Sequence, residues 1–306
     1  MPNSPKASLA PLTKTGRFHY AIQEQHRKHG PVVRVSPNEL SFATVESWKA
    51  IYGHRVAGAP PVIKSEFYEI YGAGFKSLRI GSERDPHKHG QMRKMLSAAF
   101  STKMLLDQED IITKTVDAFI HGLGEDGFKL EGLNMTKWFE MIAFDSLGEM
   151  AFGESFHSVR AGKFSIDGDF QNSALAGRWL DEIAGGETTA TFLAAATDYL
   201  LRNSVCLLKL QAEIKNIFSS FEEINATAAR QLPCFQAVNN EGLRVYAPGS
   251  QGFPRLSPGM KVGDIYVPAG AEVFTHEWTL THSEQYFSDP KSFKPERWLD
   301  ADYTDV

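Results

Sequence analysis

The hydrophobic periodicity changes sharply along this chain, and the change restricts the fold class. From Asn134 to Phe152, and again after about Ala174, apolar residues recur at helical spacing. Residues 252–276 instead alternate short apolar runs with Pro-Gly and Ala-Gly turns, which is typical of a small sheet. Residues 31–42 hold a Ser-Pro-Asn turn between two apolar runs and predict a hairpin. The fold class is therefore mainly α with a minor β part.

Helix start and stop signals divide the chain further. Gly30 is expected to end a first amphipathic helix, and Thr44 is the expected N-cap of a second. Between Pro86 and Gly122 we expect two helices, broken near a Phe-Ser-Thr-Lys segment. A long helix is expected to run from about Ala174 to Asn203, a second to about Phe221, and a third to begin at Pro233, a favoured first position.

Charge and composition exclude several classes of protein. The net charge of −5 is spread along the chain, so there is no basic stripe for a phosphate backbone and we expect no nucleic-acid partner. The two cysteines, Cys206 and Cys234, cannot form a disulfide framework and lack metal-ligand spacing. Residues 1–16 are polar and proline-broken, which predicts a loose segment rather than a signal peptide.

A double glycine stands inside the predicted long helix. Gly185 and Gly186 would each cost about 1 kcal/mol relative to alanine, so the helix is expected to open locally or to meet something closely there. Glu187 and Thr188 follow directly, and an acid beside a hydroxyl in an apolar helix can relay protons. The alternative is a helix crossing beside a solvated polar face.

An acid and an arginine share one face of the helix that follows Pro233. Glu241 and Arg244 are three residues apart, which alone predicts an ordinary surface ion pair. A second arginine would change this interpretation, because a buried carboxylate between two guanidiniums can join two segments. Arg297, in the Pro-Glu-Arg-Trp motif, is the candidate.

Three motifs in this order carry a family resemblance. "AGGETT", "EGLR" and "FKPERW" together resemble the cytochrome P450 family, and residues 31–42 resemble the first hairpin of its fungal microsomal members. The resemblance implies that Glu187 and Thr188 deliver protons during oxygen activation. It also implies a cytochrome P450-like fold in which a structural Glu-Arg-Arg lock, formed by Glu241, Arg244 and Arg297, lies beneath the haem.

The resemblance also implies residues that bind the haem propionates. The family's Trp-x-x-x-Arg pattern maps onto His89 and Arg93, with histidine in the usual aromatic position. Arg255 stands where the family often has another propionate-binding side chain. The alternative for the two arginines is simple exposure to solvent.

The sequence departs from the family at its end and at its centre. It stops at Val306, before the family's Phe-x-x-Gly-x-Arg-x-Cys-x-Gly loop with the axial cysteine, and Cys206 and Cys234 are expected to be core residues instead. A linker at about 157–174 is expected to replace several pocket-roof helices, because only about two dozen residues separate Ser158 from the start of the motif region at Asp181. No membrane anchor is expected, so we interpret residues 1–306 as a single, incomplete P450-like domain from a truncated, alternatively spliced or mis-predicted gene.

Two functions follow from the resemblance. The first is a haem-dependent monooxygenase of fungal secondary metabolism or detoxification, which oxidises a small apolar substrate. It would take electrons from NADPH through an NADPH-cytochrome P450 reductase at the cytosolic face of the endoplasmic reticulum, although this chain, without an anchor, would be cytoplasmic and catalytically impaired. The second is a non-catalytic helical remnant that binds haem weakly or not at all.

Overall fold

The structure, a computed structural model, describes residues 17–55, 58–72, 80–97, 101–127, 132–163, 185–250 and 252–299. The chain divides into two compact units. The first consists of the chain up to Ala99 together with Gly249–Lys291, and the second of Phe100–Pro248 together with Ser292–Thr304. The interpretation of residues 1–306 as a single domain stays a prediction.

The helices and strands are numbered in chain order. The helices are α1 Phe18–His29, α2 Val45–Tyr52, α3 Pro86–Ser97, α4 Thr102–Asp107, α5 Glu109–Asp126, α6 Met135–Phe152, α7 Ser158–Ala161, α8 Gly185–Arg202, α9 Ser204–Ile217, α10 Ala226–Ala229, α11 Pro233–Val245 and α12 Glu277–Thr281. The strands are β1 Val32–Ser36, β2 Glu39–Phe42, β3 Ile63–Lys64, β4 Arg255–Leu256, β5 Met260–Val262, β6 Ile265–Val267 and β7 Glu272–Thr275. Three 3₁₀ segments span Glu66–Gly72, Phe221–Glu223 and Pro295–Trp298.

A five-stranded sheet organises the first unit. Its strand order is β1-β2-β7-β4-β3, and β5 and β6 form a separate antiparallel pair. The predicted hairpin is present, since β1 and β2 pair antiparallel. The sequence did not predict that β2 pairs in parallel with β7, which places Leu40 beside Val273. Parallel neighbours need a long crossover connection, and no local pattern in either strand reveals it.

The core of the first unit lies where apolar faces of α2 and the strands meet. Phe42, Val267 and Val273 are among its most deeply buried members. The predicted N-cap positions α2, because the Thr44 side chain accepts the Ser47 backbone N–H at 3.1 Å. That bond satisfies one of the otherwise unpaired donors in the first turn.

The second unit is helical, with α6 in contact with α5, α7 and α8. Three helices, α3, α4 and α5, cover the stretch where we expected two, and α5 continues to Asp126. The first residues of the expected linker form α7, whose Ser158 and Val159 N–H groups donate to the two Asp145 carboxylate oxygens at 2.9 Å. Residues 164–184, including the rest of that linker and the predicted start of α8, lie outside the described residues.

Two of these helices approach closely at one glycine. A Cβ atom at Gly242 of α11 would lie 2.9 Å from a ring carbon of Phe192 in α8. Glycine therefore permits the close contact between the helix with the Glu-Gly-Leu-Arg motif and the helix that begins with Gly185. Among the described helices, none is both long enough and apolar enough to cross a membrane.

Candidate functional site

A buried carboxylate on α11 pairs with two arginines of the second unit. The Glu241 side chain has no solvent exposure, and its two oxygens each lie 2.8 Å from a nitrogen of Arg244. Arg297, also with a fully buried side chain, donates from Nε to Glu241 at 3.1 Å. The structure therefore brings together all three residues that the sequence placed in one cluster.

Two further donors reach Glu241 from the Pro-Glu-Arg-Trp segment. The Lys294 backbone N–H donates to Oε1 at 2.8 Å, and the Trp298 indole N–H donates to Oε2 at 3.1 Å. Pro295, at the start of the 3₁₀ turn, sets the geometry that aims both groups at the same side chain. Neither donor was predicted from the sequence, although Trp298 belongs to the Pro-Glu-Arg-Trp motif and an indole N–H usually finds a hydrogen-bond partner when it is buried.

The hydrogen bonds decide the charge state of Glu241. Burial alone would raise the pKa of its carboxyl, but the bonds from Arg244 and the Lys294 N–H outweigh burial and lower the pKa below its usual value. The ionised form is therefore the stable one. Arg244 also donates to the Ser292 carbonyl at 3.1 Å, so the pair joins α11 to the chain segment before the 3₁₀ turn.

Trp298→Phe should lower the free energy of unfolding by about 1.5 to 3 kcal/mol, because the indole bond to a carboxylate is charge-assisted. Phenylalanine keeps an aromatic side chain at this partly exposed position. Urea unfolding followed by circular dichroism would measure the change. Leu299→Ala, at an exposed neighbouring position, is the matched control, and an equal effect of both substitutions would contradict a role for the indole donor.

The predicted proton relay lies at the beginning of α8. Glu187 falls in the first turn of this helix, and its side chain lies outside the described residues. Thr188 and Thr189 are exposed, and Ala190 is fully buried. The assignment of Glu187 and Thr188 to proton delivery stays a prediction.

The three predicted propionate-binding residues belong to the first unit. His89 is half-buried and Arg93 is exposed on α3, while Arg255 is half-buried on β4. Burial, followed by the charges of Lys64, Arg93 and Arg255, lowers the pKa of His89. The charges of Lys64, Arg93 and Arg255 therefore all act on His89. These four residues form the basic cluster of the first unit, and Lys64 is the member that the sequence did not predict.

Two tyrosines fix the position of Arg255. Its guanidinium carbon lies 4.9 Å from the Tyr68 ring centroid and 5.5 Å from that of Tyr52, and Nη1 donates to the Tyr68 hydroxyl. Tyr52 is held in turn, because its hydroxyl donates to the Phe253 carbonyl at 2.9 Å and accepts the Thr275 N–H at 3.2 Å. Burial raises the pKa of Tyr52 to about 12, so this phenol stays neutral.

The described residues fit the two carboxylates of a haem, but the two cysteines do not fit its iron. The basic cluster offers cations for two carboxylates, with Arg255 half-buried and Arg93 exposed. Cys206 is 2% exposed, and burial raises the pKa of its thiol to about 11. Burial also raises the pKa of Cys234, and both lie among the apolar side chains of Leu210 and Val238. The raised pKa values favour the protonated thiols, so neither cysteine is suited to bind iron as a thiolate.

Comparison with known proteins establishes the family. The family model named Cytochrome P450 matches residues 7–176 and 182–305. This chain belongs to the cytochrome P450 family. The resemblance inferred from the three motifs is thus confirmed, and so is a mainly helical P450-like fold with a small β part.

Two similar relatives come from fungi. This P450 is 45% identical to the Cytochrome P450 monooxygenase ORF9 of Penicillium roqueforti, over 96% of this chain and 72% of the relative. It is 43% identical to the Cytochrome P450 monooxygenase BOT4 of Botryotinia fuckeliana, over 95% of this chain and 69% of the relative. The two alignments extend over 369 and 365 residues, more than the 306 of this P450, so part of each relative has no counterpart in this chain.

Proposed function

We propose that this P450 descends from a haem-dependent monooxygenase that oxidises a small apolar substrate. It forms the scaffold of such an enzyme. The observation that carries the proposal is its similarity to two fungal proteins named as monooxygenases, over more than nine tenths of the chain. The basic cluster in the first unit supports it, because haem carries two carboxylates. We place the reaction in fungal secondary metabolism or detoxification, with electrons from NADPH through a reductase.

Each predicted site residue has a role in this proposal. A bound haem supplies the iron at which oxygen is activated. Arg255, His89 and Arg93 hold the carboxylates of that group by charge-assisted bonds. Glu187 and Thr188 hold and pass protons, since an acid and an alcohol adjoin on one helical turn.

The buried lock has a structural role rather than a chemical one. Glu241, Arg244 and Arg297 satisfy one another inside the second unit. Their bonds fix the 3₁₀ turn against α11 and hold this segment in place. None of the three has to exchange a proton for this purpose, because the pKa of Glu241 is lowered and its ionised form is stable.

A second candidate function is a non-catalytic helical protein that binds haem weakly or not at all. The observation that favours it is the state of the cysteines, whose pKa values are raised by burial. A protonated thiol in an apolar cluster is a poor iron ligand.

A reduced carbon-monoxide difference spectrum tests the two candidates. We expect no thiolate-type Soret band from the 306-residue polypeptide expressed with added haem, because neither cysteine provides a thiolate. We expect the band when the same polypeptide is extended by the cysteine loop of an intact family member. Absence of haem from the extended protein would contradict the monooxygenase proposal, and a strong band from the 306-residue polypeptide would contradict the non-catalytic one.

A further inference from the structure

Two cations lie directly opposite each other in the sheet of the first unit. Lys64 on β3 is the register partner of Arg255 on β4, and both residues are half-buried. Directly opposite residues of an antiparallel pair project from the same face of the sheet, with Cβ atoms about 5 Å apart. Like charges in such a pair destabilise the sheet.

The bonds that these cations make are to neutral groups. Lys64 donates from Nζ to the Ile80 carbonyl at 2.7 Å, and Arg255 donates to the Tyr68 hydroxyl and, at 3.3 Å, to the Pro254 carbonyl. The Tyr68 ring lies close to both, with its centroid 5.7 Å from the Lys64 nitrogen and 4.9 Å from the Arg255 guanidinium carbon. An aromatic ring attracts a cation without neutralising it.

The positive charge of Lys64 and Arg255 is not neutralised by an ion pair with any described acid. In the described part of the chain, no carboxylate lies within ion-pair distance of Lys64 or Arg255. The charge of Glu83 offsets only part of this positive charge: Glu83 raises the pKa values of Lys64 and His89, but by less than burial and the neighbouring cations lower them, and its Oε1 accepts the Asp85 backbone N–H at 2.8 Å. Burial first, and then the charge of Arg255, lower the pKa of Lys64. A bound dianion would attract both Lys64 and Arg255 and would offset the repulsion between their charges.

We propose that Lys64 is a haem-positioning residue of this P450, which grips the carboxylates of haem together with its cross-strand partner Arg255. The inference rests on the proposed use of haem and adds a residue that the family motifs did not supply. Among the described residues one of the three ammonium donors is used, on Ile80, which leaves two for a carboxylate. The bond to Ile80 restricts the Lys64 side chain before any ligand is present. Less conformational entropy is therefore lost when an anion binds.

Porphyrin binding without iron tests this inference independently of any axial ligand. Fluorescence titrations would measure the affinity of the full 306-residue chain for protoporphyrin IX and for its dimethyl ester, which lacks the two charges. Lys64→Met should weaken binding of the free acid about tenfold and change binding of the ester less than twofold, since one charge-assisted contact is lost. Lys64→Arg should retain most of the affinity for the free acid.

Lys49→Met is the matched control, because Lys49 is an exposed lysine of the same unit on α2. It should leave both affinities unchanged.

The outcomes separate the inference from the function on which it rests. Unchanged binding of the free acid by Lys64→Met, with the wild type still preferring the acid to the ester, would overturn the role of Lys64 and leave the haem proposal standing. Equal losses for acid and ester would show a general structural effect and overturn the inference. Failure of the wild type to bind either porphyrin would overturn the haem proposal itself.

Discussion

Glu241→Gln is expected to lower the free energy of unfolding by about 3 to 5 kcal/mol. Glutamine preserves the shape of the side chain but removes the charge that Arg244 and Arg297 share. Both guanidiniums are buried in the second unit, so water cannot replace the lost anion. The amide group of glutamine would also present N–H donors where oxygens now accept from Lys294 and Trp298.

Glu296→Gln provides the matched control for this experiment. Glu296 lies in the same 3₁₀ turn but forms an exposed ion pair with Lys209, at 3.1 Å. Exposed pairs contribute about 0 to 1 kcal/mol, so this substitution should have a small effect. Urea unfolding of both variants would measure the difference. Similar midpoints for the two would mean that the buried pair adds no more to stability than a surface pair.

Acidification below pH 6.5 should destabilise the first unit, with a contribution from His276 that approaches about 1.4 kcal/mol per pH unit. His276 is fully buried, and burial, followed by the charge of His26, lowers its pKa to about 3. Its Nδ1 is bonded to the Thr279 hydroxyl at 2.6 Å, whereas no described group bonds its Nε2. The ring therefore resists protonation in the folded state.

The sign of the effect follows from the difference between the two states. In the unfolded chain this histidine takes up a proton near its ordinary pKa of about 6.5, whereas in the folded protein it stays neutral down to about pH 3. Between pH 6.5 and pH 3 the unfolded state binds more protons than the folded state. The contribution of neutral His276 to the free energy of unfolding is therefore fully present above pH 6.5 and is lost as the pH decreases towards 3. Burial lowers the pKa of His26 as well, which acts in the same direction.

His276→Asn isolates the contribution of this residue, because asparagine can still cap α12 through a side-chain oxygen. Urea midpoints at pH 7, 6 and 5 should fall less steeply in this variant than in the wild type. His29→Asn, at an exposed position on α1, should leave the wild-type slope unchanged. Parallel slopes for His276→Asn and the wild type would exclude His276 as a source of acid sensitivity.

Local signals in the sequence located much of the fold. The hairpin of β1 and β2, the Thr44 cap of α2 and the start of α11 at Pro233 follow from turn, cap and proline preferences that act over a few residues. The pairing of β2 with β7 does not, because the register between strands so far apart in the chain depends on tertiary packing.

Some residues of the candidate site were likewise predicted from local signals, and others depend on the folded chain. Glu241 and Arg244 were recognisable from helical spacing, and Arg297 from its motif. The Lys294 N–H and the Trp298 indole were missed because their directions depend on a 3₁₀ turn that only the folded chain defines. Lys64 was missed because its proximity to Arg255 arises from pairing between two strands of two residues each.

The strand order of the first unit also determines when this unit can form during synthesis. β7 lies between β2 and β4 in the sheet, although it is the last of the five strands in the chain. Until Thr275 has left the ribosome, the hairpin of β1 and β2 lacks its parallel neighbour and exposes an unpaired edge. The hairpin therefore keeps this open edge while Phe100–Pro248, most of the second unit, is translated, and this interval is its period of greatest exposure to chaperones and to aggregation.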